Sequence, residues 1–234
     1  MSNGRKTLFV ISFLIIDLLL VSGIFIIRDL TSENIIRKEI TALSKLDFSD
    51  DKFNTDIKSS GDYAVVETAI KKYLDDYATE VQIVLSVKED EVLNSLLDSD
   101  NLFRDGPLFQ ESFDYLLLTK NNFDYNVDIL MERVNEYAIY GHINNYDVDA
   151  DDVELYQNLL IDYNILGKID EMQEKLKDEK VIIDNYFDSI SDVLVYLRDN
   201  SNMYNMVDGK VVFYDSVMQN TYDDLVNKTK RILE

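Results

Sequence analysis

The chain has 234 residues, 45 of them acidic and 23 basic, for a formal net charge of −22. A field of that sign repels phosphate backbones and attracts basic proteins, peptides or divalent cations, so no nucleic-acid partner is expected. No cysteine is present, which removes disulfides, thiolate metal sites and a lipid-modified cysteine, while 15 tyrosines and 11 phenylalanines are too rich a complement for a disordered chain.

The first pattern in chain order is the apolar run Thr7–Ile27, bracketed by Arg5 and Lys6 on one side and Arg28 on the other. In a helix it reaches about 30 Å, enough to span a bilayer's hydrocarbon core, so residues 1–28 are predicted to be a single transmembrane anchor. Val21-Ser22-Gly23 resembles a signal-peptide cleavage site, but the apolar run resumes with Ile24–Ile27 and the anchor reading is preferred. Basic residues on the two sides nearly balance. The absence of cysteine and the acidity of the chain beyond residue 28 favour an amino terminus inside and an extracytoplasmic domain, at the cell membrane. Asp17 lies mid-span, where a carboxylate costs about 2.5–3.5 kcal/mol, and it is the candidate contact to a partner helix, either another copy or a different protein. The competing reading is an acid tolerated in a span rich in leucine and isoleucine.

Beyond the span, one proline and few glycines leave little turn chemistry, so the chain reads as all-α. Residues 29–60 are expected to be a juxtamembrane helix through Leu46 followed by a linker over 47–60. Residues 61–234 are expected to form an elongated antiparallel helical bundle. Val66, Ala69, Ile70, Tyr73, Leu74, Tyr77 and Val81 recur at helical spacing after Gly61. A short helix follows around Leu93. Asn101–Gly106 then reads as a break, with Pro107 opening a helix that runs towards Tyr137 and carries a polar interruption at Lys120–Asn122. A short helix begins near Ala150. A long one runs from Ile169, interrupted at Lys177–Lys180. Near the end, Asp208-Gly209 between two β-prone runs predicts a hairpin over 203–214, and Ser216 with Gln219 predicts a capping box for the last helix.

Candidate chemistry is sparse. Asp147, Asp149 and Asp151 alternate as in the start of a calcium loop, but Asp152 replaces the usual glycine and Asn158 the usual glutamate. The same acids suit the positive end of a helix. They are a weak calcium candidate, and no other cofactor is indicated. His142, the single histidine, sits in a loop and is the one residue on which a Ser–His–Asp arrangement depends. Adjacent acids such as Asp75-Asp76 and Asp223-Asp224 point to different parts of a helix surface. These features predict a non-enzymatic, membrane-anchored binding or scaffolding protein. The alternatives are an envelope hydrolase using carboxylates or a divalent metal, and a sensor signalling through a partner transmembrane helix.

Overall fold

A computed structural model describes residues 29–49 and 53–233. The predicted span Thr7–Ile27, with Asp17, lies outside them. Among the described residues, no helix is long and apolar enough to cross a membrane. The protein is mostly helical, with a small antiparallel hairpin near its carboxyl end. Its helices are α1 (29–43), α2 (Asp62–Leu85), α3 (Glu91–Ser95), α4 (Ser99–Asp105), α5 (Gln110–Arg133), α6 (Glu136–Gly141), α7 (Ala150–Asp162), α8 (Ile165–Asp199) and α9 (Ser216–Ile232). Strands β1 (Tyr204–Val207) and β2 (Lys210–Phe213) precede α9.

The chain divides into two compact units. One comprises residues 29–47, 53–76 and 136–168, and the other 48–49, 77–135 and 169–233.

In the first unit, Ile36, Ile40 and Leu43 of α1 and Val66, Ile70, Tyr73 and Leu74 of α2 are buried, as their spacing predicts. Buried beside them is a charge pair that the periodicity does not announce. Glu67 and Lys71 are 0% and 1% exposed, and Lys71 Nζ lies 2.6 Å from Glu67 Oε1 and 2.9 Å from Glu39 Oε2 of α1. Lys71 also donates to the Asp56 carbonyl at 2.6 Å. Glu67 Oε2 accepts from the Ser59 hydroxyl, the Ser59 amide and the Lys58 amide. Residues 53–60, predicted as linker, have no regular secondary structure, yet they are strapped down by these bonds. Burial alone would raise the Glu67 carboxyl, but the bonds from Lys71, Ser59 and Lys58 outweigh it and hold it below its ordinary value.

In the second unit α5 and α8 run antiparallel. Lys120 pairs with Asp184, and Lys180 with Asp124, at 2.7 and 2.8 Å. Lys120 also lies over the Phe187 ring and Lys180 over the Phe123 ring. These are the two polar gaps that the sequence suggested as interruptions. Both helices in fact run through them unbroken, the lysine in each gap pairing with an aspartate a few residues beyond the gap on the other helix.

Other boundaries also differ from expectation. Residues 99–105 form α4 rather than a break. Pro107 precedes α5, after a cis Gly106–Pro107 bond. Gly106 is required there, since a Cβ would meet the Leu102 carbonyl oxygen at 2.6 Å. The α5 N-cap residue, Phe109, contributes no side-chain bond; the Asp105 carboxylate accepts from the Glu111 and Ser112 amides instead. The helix ends at Arg133, so Tyr137 belongs to α6. The α8 helix begins at Ile165, four residues before the predicted start.

The hairpin forms as predicted. Asp208 and Gly209 both take positive φ, 50° and 73°, as a type I′ turn requires, and Tyr204 pairs with Phe213 and Met206 with Val211. Alone it would be marginal. Phe213 anchors it, with ring centroids 5.5, 5.2 and 5.8 Å from Tyr196, Tyr204 and Tyr222. The cap of α9 is Asp215, one residue earlier than expected, accepting from the Val217 and Met218 amides. Gln219 is used elsewhere: its Oε1 accepts from the Phe213 amide, tying the free edge of β2 to α9.

Candidate functional site

The hairpin and α9 do not close fully on the rest of the second unit. Between them and α3, α4 and α8 lies a groove with a cavity volume of about 810 Å³, within the range of small-ligand sites. Leu93, Leu97 and Leu102 form one wall, Ile190 of α8 contributes to the floor, and Met206, Val211, Val226 and Leu233 line the opposite side. The apolar face of α9 explains the opening. Apart from Thr229, no residue of that helix is fully buried.

Half of the polar side chains in the groove are engaged within the protein. Tyr186 donates to Asn94 Oδ1 at 2.8 Å, the Gln219 amide donates to Asp223, and Thr229 donates to the Leu225 carbonyl. Asp98, Ser99, Lys210, Tyr222 and Lys230 also line it. The Tyr222 phenol is pushed up to about 12, by burial first and then by the charge of Asp223. At neutral pH it is a hydrogen-bond donor rather than a base. Two carboxylates and two ammonium groups balance in a chain that is otherwise strongly acidic. A ligand with comparable apolar and polar parts fits such a lining.

The calcium candidates fall in the first unit. Asp149 and Asp151 line a cavity of about 300 Å³ together with Asp29, Glu33, Asp62 and Asp152; Asp147 is not among its lining residues. Asp149 is the N-cap of α7, its Oδ1 accepting from the Asp151 and Asp152 amides, and Asp152 returns a bond from the Asp149 amide to complete a capping box. Burial first, and then Asp149, Asp62 and Asp151, raise the Asp152 carboxyl against the pull of that amide. Among the described residues, no group of three or more histidines or acids is placed to hold a metal ion.

His142 also lies in the first unit, in a 3₁₀ turn, with its ring 5.5 Å from that of Tyr73 and 5.8 Å from that of Tyr146. Of the adjacent acid pairs, Asp76 pairs with Lys72 and Asp223 accepts from Gln219.

The groove was not predicted from the sequence. Its residues come from five elements, and the one local signal was the amphipathic α9 following a hairpin. No family model, curated protein or solved structure matches the chain.

Proposed function

We propose that this chain is a membrane-anchored, non-enzymatic binding protein, held by the helix Thr7–Ile27 with its folded part outside the membrane, and that the groove between the hairpin and α9 seats its ligand. The observation that carries this reading is the groove itself: a cavity within one compact unit, lined in equal parts by apolar and polar residues, with Asp98, Ser99, Lys210, Tyr222 and Lys230 among the polar ones. Asp17 then serves as the contact to a partner membrane helix, which also allows binding to be signalled across the bilayer.

The test is photocrosslinking from a diazirine amino acid placed at Val226 in the full chain, in intact membranes, with the exposed Val181 of α8 as the control position. A discrete adduct from Val226 alone supports the reading. No adduct, or the same smear from both positions, removes it.

A further inference from the structure

One edge of the hairpin is open where it borders the groove. Tyr214 donates to the Met203 carbonyl at 2.9 Å, and with Tyr204 opposite Phe213 and Met206 opposite Val211 this fixes the alternation of the ladder. Asn205 and Val207 turn their amide and carbonyl groups to β2, whereas Tyr204 and Met206 turn theirs off the far edge of β1. The two edges are treated differently. On β2 the Phe213 amide goes to Gln219 Oε1 of α9, which lies against that strand. On β1 the backbone groups of Tyr204 and Met206 meet no partner among the described residues. The strand is short, but it holds no charge, proline or bulge of the kind that blunts an edge. Met206 also lines the groove, so the open edge borders the cavity.

We propose that the groove takes an extended polypeptide segment of a partner protein, which adds to β1 as a third, antiparallel strand. This rests on the groove being a ligand site and names the class of ligand. Tyr204 and Met206 each offer one donor and one acceptor at alternate positions, a pattern that an extended backbone returns and an acyl chain does not. Side chains of the incoming strand alternate between faces, so the residue opposite Met206 projects to the same side as Met206 and enters the groove. Apolar residues and both signs of charge meet it there. Main-chain bonds give the affinity and the groove gives the sequence preference.

The test uses the full chain in nanodiscs of zwitterionic lipid. Peptides are selected on it from a random decapeptide library after depletion on empty nanodiscs, and the enriched peptide is measured by fluorescence anisotropy. Methylating its backbone nitrogens at alternate residues blocks one strand edge at a time. One of the two alternating sets should weaken Kd about tenfold or more, the loss of one or two hydrogen bonds, and the other should leave it nearly unchanged. Met206→Pro removes the amide aimed off the β1 edge and keeps the ladder to β2, so it should weaken binding similarly while NMR contacts between Tyr204 and Phe213 persist. If those contacts are lost, the methylated peptides decide alone. Enrichment of no peptide, or equal effects of the two methylated sets, overturns the proposal. So does self-association of the chain that Met206→Pro abolishes, because β1 of a second copy is then the occupant. A discrete Val226 photoadduct beside peptides indifferent to methylation overturns strand addition and leaves the groove as a ligand site; absence of that adduct removes the groove reading itself.

Discussion

Lys71→Met tests the buried charge cluster of the first unit. The substitution keeps the length of an apolar stem and removes the ammonium that lies 2.6 Å from Glu67 and 2.9 Å from Glu39. With Glu67 fully buried, the variant leaves a carboxylate without its counter-ion, and breaking such a pair costs about 3–5 kcal/mol. Glu67 keeps its bonds from Ser59 and Lys58, which argues for the lower end of that range. Because residues 53–60 are held mainly through this cluster, the loss should appear as local opening. About 3 kcal/mol corresponds to roughly 150-fold faster amide exchange at Lys58 and Ser59, measured by hydrogen exchange and mass spectrometry.

The pH dependence gives the sign. In the wild type both Glu67 and Glu39 are held below the ordinary glutamate value, against an opposing effect of burial. Their contribution is therefore complete above about pH 4.3, the unfolded-state value, and is lost as pH falls through the lower folded-state values. In Lys71→Met the lost counter-ion raises Glu67, so the deficit should be largest near pH 7 and shrink as the carboxyl protonates. Glu67→Gln/Lys71→Met should recover much of the loss. A penalty below about 1 kcal/mol at pH 7, the size of an exposed pair, would refute the reasoning, as would a penalty independent of pH.

Asp149→Ala removes the α7 cap and should cost about 1 kcal/mol, seen as a lower melting temperature. Melting of the wild type should be the same in millimolar Ca²⁺ and in chelator, since Asp149 Oδ1 is already occupied by two backbone amides; a calcium-dependent rise that Asp149→Ala abolishes would revive the calcium reading. Gly209→Ala should destabilise the hairpin by about 1 kcal/mol through its positive φ, reported by weaker NMR contacts between Tyr204 and Phe213, and unchanged contacts would contradict the turn assignment. Lys180→Ala should cost less than about 1 kcal/mol, because its partners are about one-third exposed or more and Lys120 still pairs with Asp184; thermal melts at low and high salt check this.

What could be read from the sequence was local. Asp208-Gly209 carries its own turn chemistry, and α2 shows its buried stripe because one face is almost continuously apolar. Polar segments misled wherever their partners were distant in sequence. Lys120–Asn122 and Lys177–Lys180 read as breaks because the ion pairs joining α5 and α8 are tertiary. Glu67 and Lys71 stand four apart beside a core stripe, a hint that a buried pair exists, but Glu39 and the 53–60 segment that complete it are out of local range. The caps show the same limit on a smaller scale. Asp215 and Ser216 are both competent N-caps; Asp215 takes the role, and Gln219, the expected partner of Ser216, bonds the β2 edge instead. Of the candidate sites, the acids at 147–151 were visible as a string, but their use as a helix cap depended on where α7 begins. The groove needed α3, α4, α8, α9 and the hairpin to be assembled first.

The anchored, outward-facing arrangement is tested most directly by thiol labelling in intact cells, since the chain has no cysteine of its own. Single cysteines at Ser2 and at the exposed Thr55 would be treated with a membrane-impermeant reagent, before and after permeabilisation. The account predicts that Thr55→Cys labels in intact cells, Ser2→Cys only after permeabilisation, and both stay with the membrane fraction in alkaline carbonate. Labelling of Ser2→Cys alone in intact cells, or release of the Thr55→Cys protein into the medium, would contradict it.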